Sequence, residues 1–152
     1  MKKIFTSLSI LALIATSSVF TSCSSDDNTS EQVQQDPLLG KWTVEKVDVK
    51  ISIDGAVVQD QKGVDITNEV EMYFEFLQGN VANFYQKQIA SGQVNQATGT
   101  YSVSGSDITI VIENEPQTFE YSINNGELTL SIVEEEMYEG QLYQITTTFH
   151  LF

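Results

Sequence analysis

From Leu39 to the C-terminus, apolar and polar residues alternate with a period of two, and beyond residue 36 no window of comparable strength follows a helical period. "KWTVEKVDVKISI" places Trp42 and Val44 on one face, then Val47, Val49, Ile51 and Ile53 in the opposite phase. A slip of one residue within a strand predicts a bulge. Asp54-Gly55 is a tight-turn signal, and the polar, weakly periodic residues after it, to about Asn68, read as a loop. "NEVEMYFEFLQGN" alternates cleanly: Val70, Met72, Phe74 and Phe76 share one face, and Glu69, Glu71 and Glu75 share the other. One face is therefore buried and the other wet. "VANFYQKQI" pairs with it across Gln78-Gly79-Asn80, and a Gly/Asn/Gln/Ser-rich loop follows near residues 91–97. Four strands then come in quick succession, at residues 100–104, 107–113, 117–123 and 127–133, with turns at Ser-Gly-Ser, Asn-Glu-Pro and Asn-Asn-Gly. "VEEEMYEG", residues 133–140, reads as a solvated hairpin tip, and the last run, "QLYQITTTFHLF", carries Tyr143, Ile145, Phe149 and Leu151 in one phase. About eight antiparallel strands joined by short turns predict an all-β, eight-stranded up-and-down barrel over residues 37–152, whose closure removes exposed sheet edges.

An eight-stranded barrel is just wide enough to be filled by its own side chains or to hold one small ligand. The inward phase here is crowded with large residues, so a largely filled barrel with a narrow groove at its open end is expected rather than a roomy calyx. If a ligand enters, the aromatic lining and acidic surface favour one that is uncharged or cationic and partly apolar. Phe74, Phe76, Tyr101, Phe119, Tyr121 and Tyr143 are the candidates to touch it, with the tyrosine hydroxyls as polar handles.

The first 36 residues differ from the rest. "MKKIFTSLSILALIATSSVFTSC" has two lysines, an apolar run too short to span a bilayer comfortably, and small residues before Cys23. That is the layout of a secretory signal peptide over residues 1–22. "FTSC" resembles the lipobox of bacterial lipoproteins, in which the cysteine becomes the lipidated first residue. Cys23 is the sole cysteine, so no disulfide is available, and the thiol reads as an acylated (palmitate-type) membrane anchor. Residues 23–36 then form a polar, flexible tether, reaching about 45 Å when fully stretched. Its "SSDDN" resembles the surface-export signal of lipoproteins from Bacteroidetes-type bacteria, and it equally suits a solvated acidic linker. The expected address is the outer membrane or cell surface.

Charge narrows the partners. The chain has no arginine, and loss of Lys2 and Lys3 with the signal takes its formal charge from −14 to −16. Nucleic acid is not expected as a partner, because the five remaining lysines do not cluster to neutralise phosphate, and an anionic bilayer repels the body of the protein. Contact with the membrane therefore falls to the acyl chains. The candidate chemistry is sparse. The lone His150 lies in the phase opposite to the core and reads as an exposed strand histidine without companions. No serine sits in a nucleophile elbow and no glycine loop cradles phosphate. The pairs Glu69/Glu71 and Glu113/Glu115 lie on wet faces or turns, and residues 133–140 lack calcium-loop spacing, so no enzyme activity, cofactor or metal is expected.

"GKW", Gly40 to Trp42, at the start of the first strand, stands where lipocalins carry Gly-x-Trp. "GTYSVSGSDITI" and "YSINNGELTLSI" are similar to strand-turn-strand segments of bacterial lipocalin-like lipoproteins. The resemblance spans residues 37–152 and implies a barrel closed at one end by Gly40 and Trp42. No arginine is present to cover the tryptophan, as one does in eukaryotic lipocalins, and a Thr-Asp-Tyr type motif is missing, so only the looser lipocalin-like class is implied. The expected function is a non-enzymatic, membrane-tethered protein holding a small amphipathic or hydrophobic ligand at the open end. The alternative is an envelope accessory protein whose filled barrel meets a protein partner of unknown identity through loops at residues 55–67, 90–98 and 134–140.

Overall fold

Nine strands and the turns between them account for nearly all of residues 36–152, the part of the chain that the computed structural model describes. The signal peptide, Cys23 and the tether up to residue 35 lie outside the described residues. The strands are β1 (Gly40–Ile53), β2 (Ala56–Asp65), β3 (Val70–Leu77), β4 (Val81–Gln88), β5 (Val94–Ser104), β6 (Asp107–Ile112), β7 (Glu115–Asn124), β8 (Glu127–Tyr138) and β9 (Gln141–Leu151). From β3 to β9 each strand pairs antiparallel with the next. β1 closes the ring, with Gly40–Thr43 against β3 and Val44–Ile53 against β9. The predicted eight-stranded closed barrel is therefore present, and β2 is a ninth strand outside the ring, hydrogen-bonded only to β1. Among the described residues, 36–152, the strands close into a complete ring around a continuous buried core.

The phase slip in the first strand is a bulge at Glu45: Val44 pairs with Leu151, while Lys46 pairs with His150. Beyond it Val47 packs against the core, while Val49, Ile51 and Ile53 continue its phase and stay half-exposed as β1 runs out into an extension beyond the ring. Three segments read as loops are strands instead. Residues 56–65 form β2, β5 begins at Val94, and β8 runs on to Tyr138. All of β2 is exposed, so burial imposes no alternation on its sequence; pairing with β1 alone makes it a strand. β8 pairs with β7 only from Glu127 to Ser131, so its outer half and the start of β9 leave the ring. Together with β1 and β2 they build a four-stranded extension in the order β2-β1-β9-β8. Its two tips are tied reciprocally: Asp54 N–H donates to the Leu142 carbonyl and Leu142 N–H donates to Asp54 Oδ1, each at 2.9 Å.

The core fills one half of the barrel. Leu38, Val44, Phe76, Ile108, Leu128, Leu130 and Leu151 are almost wholly buried there, and Phe76 meets Tyr101 edge-on with centroids 5.1 Å apart. Val103, in the inward phase, is 44% exposed because β5 has run past the core into the Gly105 turn. β5 pairs with β4 through Val94–Thr100 and with β6 only through Thr100–Ser104. Gly99 sits at this change of partner, where the Val111 carbonyl crowds in so closely that a Cβ would be 2.9 Å from its carbon and 3.0 Å from Ile112 Cγ1. Only a glycine lets the two backbones approach this closely.

Candidate ligand site at the open end of the barrel

The two ends of the barrel differ because the chain enters across only one of them. Asp36 starts a turn there, accepting from Leu38 N–H at its side chain and from Leu39 N–H at its carbonyl, both at 3.0 Å. Leu38, 2% exposed, is driven into the barrel's end, and Trp42 Nε1 donates to the Leu38 carbonyl at 2.8 Å. Trp42 itself is half-buried against the core. The tryptophan thus latches the plug, and Leu38 is the plug. Gly40 has φ +135°, a conformation that side-chain-bearing residues rarely adopt, and it lets the chain turn from this crossing into β1. Trp42→Phe keeps the ring but removes the N–H donor. It is expected to lower stability by about 1 kcal/mol, read as a lower urea midpoint by circular dichroism.

The opposite end is hollow. A cavity of about 580 Å³ opens there, lined by Met72, Phe74, Phe84, Ile110, Ile112, Phe119, Ile132 and Phe149, with Pro116, Gln117 and Thr147 on its wall and Glu113, Glu115 and Glu134 also lining it. The expectation of a largely filled barrel holds for the closed half and gives way in the open half. The rings of Phe84, Phe119 and Phe149 lie 5.2, 6.4 and 6.5 Å from that of Phe74, so this phenylalanine is the hub of an aromatic floor. The volume falls within the range of small-molecule sites. Glu113 and Asn114 make the β6–β7 turn with φ of +53° and +69°, whereas each of the other two-residue hairpin turns carries a glycine.

Of the residues expected to touch a ligand, Phe74 and Phe119 line the cavity. Phe76 and Tyr101 are buried in the closed half, where burial and the charge of Asp36 raise the Tyr101 hydroxyl above its ordinary pKa. Tyr121 packs half-buried against the same core. Tyr143 lies on the extension, its ring edge-on to Tyr138 at 6.1 Å. Sequence reasoning missed Glu134, which shares the inward phase of Leu128, Leu130 and Ile132 and so points to the mouth. It also missed Leu38, whose signal is an apolar pair between Pro37 and Gly40.

His150 is not the exposed residue its phase suggested. Its side chain is 23% exposed and bridges three strands, with Nδ1 2.6 Å from Glu127 Oε1 and Nε2 3.3 Å from Asp48 Oδ1. The first is a hydrogen bond; the second is an ion-pair contact off the hydrogen-bond line. Burial alone would lower the imidazole pKa, but the hydrogen bond with Glu127 and the close charges of Asp48 and Glu127 outweigh it, so the pKa lies above the ordinary 6.5. Burial would raise Asp48, yet the Gly63 N–H donated to it, His150 and Lys62 together bring it below 3.8. The histidine's contribution to stability is complete below pH 6.5 and is lost as pH rises through its raised value. The aspartate's is present above pH 3.8 and is lost as pH falls through its lowered value. The melting temperature of the protein should therefore exceed that of His150→Gln most between about pH 4 and 6.5. Thermal melts should show the gap narrowing towards pH 8.

A closed antiparallel barrel, sealed by the entering chain at one end and hollow at the other, is a calyx. The chain belongs to the lipocalin-like domain family, whose model matches residues 38–130. Among solved structures, it is similar to a lipocalin-like protein from Bacteroides uniformis, with 19% identity, a TM-score of 0.42, and coverage of 72% of this chain and 97% of that one. An uncharacterized protein from Bacteroides eggerthii is also similar, with 17% identity, a TM-score of 0.40, and coverage of 72% and 98%. No curated protein matches the sequence.

Proposed function

We propose that the protein is a non-enzymatic, lipid-anchored binding module that holds one small amphipathic or hydrophobic molecule in the open-end cavity. The observation that carries this reading is the asymmetry of the barrel. Leu38 and Trp42 seal one end, while about 580 Å³ with an aromatic floor stays open at the other. A fold optimised for stability alone would fill that space, because lining a void forfeits packing. The family match supports a binding rather than a catalytic role. The test is native mass spectrometry of residues 36–152 purified from cells, followed by titration with the neutral probe Nile red. One retained or titrated molecule per chain supports the reading, and an empty chain that binds none contradicts it.

Anchorage at the outer membrane or cell surface through acylated Cys23 belongs to the same proposal and rests on the lipobox-like "FTSC". Cys23→Ser is expected to move the protein from the membrane fraction to the soluble fraction. Unchanged membrane attachment of this variant would contradict the anchor.

A second reading, docking of a protein partner, is favoured by the extension. Val57, Val58, Met137 and Leu142 are 52%, 58%, 65% and 36% exposed on its two hairpins, and β2 leaves one edge unpaired. Capture of the same envelope protein by the chain, lost on Val57→Lys/Met137→Lys, would support it.

A further inference from the structure

We propose that the open-end cavity selects amphiphiles with a positively charged head, amines carrying an alkyl or aromatic body, over carboxylates of the same shape. This rests on the reading of that cavity as a ligand site and adds the chemistry of the head group. The lining divides cleanly. The interior wall is aromatic and aliphatic, and every charged residue lining the cavity is a carboxylate: Glu113, Glu115 and Glu134. Neither a lysine nor His150 lines it. Among the described residues, the ion pairs use Lys87 with Glu71, and His150 with Asp48 and Glu127, so no cation lies within 4.0 Å of these three carboxylates. Lys41, the cation nearest an aromatic face, sits 3.8 Å from the centre of the Tyr73 ring, which is not among the cavity residues.

An apolar body buried in the cavity would leave its head at the mouth among these three exposed carboxylates, whose charges act on it together although water and salt weaken each one. An ammonium gains there and a carboxylate is repelled. The chain's formal charge of −14 gives the same bias at a distance, drawing cations towards the mouth and turning anions away. Glu134 comes from β8 and Glu115 from β7, while Glu113 sits in the β6–β7 turn, so two separate hairpins supply the charge.

The test compares dodecylamine, dodecanol and dodecanoate, each below its micelle concentration at pH 7.4 and 0.15 M salt, as displacers of Nile red from residues 36–152. The amine is expected to displace at a concentration at least about tenfold below that of the alcohol, and dodecanoate at one about tenfold above it. In Glu113→Gln/Glu115→Gln/Glu134→Gln the three ligands should converge to within about threefold, whereas Glu45→Gln/Glu69→Gln/Glu120→Gln, with the same change of net charge on the exposed outer face, should keep the full order. Dodecanoate matching the amine on the unmodified protein, or an order that survives loss of the mouth carboxylates, overturns the proposal while dodecanol binding leaves the cavity reading standing. An order abolished by the outer-face variant also overturns it, since selection would then reside in net charge. If dodecanol fails to bind at all, the cavity reading itself falls, and the head-group proposal with it.

Discussion

Gly99→Ala is expected to cost about 3 kcal/mol, a large share of the 5–15 kcal/mol typical of a whole domain. The added methyl group meets backbone, which cannot rotate aside. It would overlap the Val111 carbonyl oxygen and press on Ile112 Cγ1 at 3.0 Å. Gly99 pairs with Ala82 on β4, itself buried, so β5 cannot retreat on that side without parting the β4–β5 ladder. Relief would have to come from opening the β5–β6 seam, which is registered over only Thr100–Ser104 and Asp107–Val111. Thr100→Ala, one residue on with its side chain exposed, should cost less than about 1 kcal/mol. Urea denaturation of the two variants checks the contrast. Equal losses would show that the crowding at Gly99 relaxes freely.

The second large effect is expected in binding. Ile132 is half-buried on the cavity wall, opposite Thr147 on β9, and faces the aromatic floor around Phe74. Ile132→Trp places an indole where a ligand body would lie. The side chain has open space to enter, so the barrel should keep its circular dichroism spectrum and lose no more than about 1–2 kcal/mol of stability. Affinity for a neutral apolar probe should fall at least about tenfold, because the displaced volume is what the probe occupies. Leu128→Ala gives the reverse contrast in the closed half. Leu128 is fully buried there, so its truncation should cost about 2–5 kcal/mol and leave the open cavity's affinity within a few-fold.

Legibility in the sequence followed burial. β3 was plain because Val70, Met72, Phe74 and Phe76 face the core while Glu69 and Glu71 face solvent, and the bulge was plain because Val44 and Val47 are out of phase. β2 was invisible because it has no buried face, and a strand exposed on both sides writes no alternation into its sequence. The outer half of β8 was hidden by Glu134, Glu135 and Glu136, whose charges read as a solvated turn although the backbone stays paired with β9 as far as Tyr138 and Gln141. In the site, phase identified Phe74 and Phe119 as inward, but it does not say how far along the barrel axis a residue lies. That is why Phe76 and Tyr101 look equivalent to them in sequence and yet fall in the filled half. Depth depends on the stagger between strands, which is a property of the closed ring. The volume of the cavity is likewise what remains between side chains from many strands, and no local pattern encodes it.

The central claim, that one end of the barrel is a ligand site and the other is a plug, is tested most directly by a two-dimensional NMR titration of residues 36–152 with 1-decanol. Saturable shifts should appear at Phe74, Phe119, Ile132 and Thr147 around the open cavity, while the indole resonance of Trp42 and the Leu38 methyl groups stay in place. Shifts confined to the extension around Val57 and Met137, or none that saturate, would contradict it.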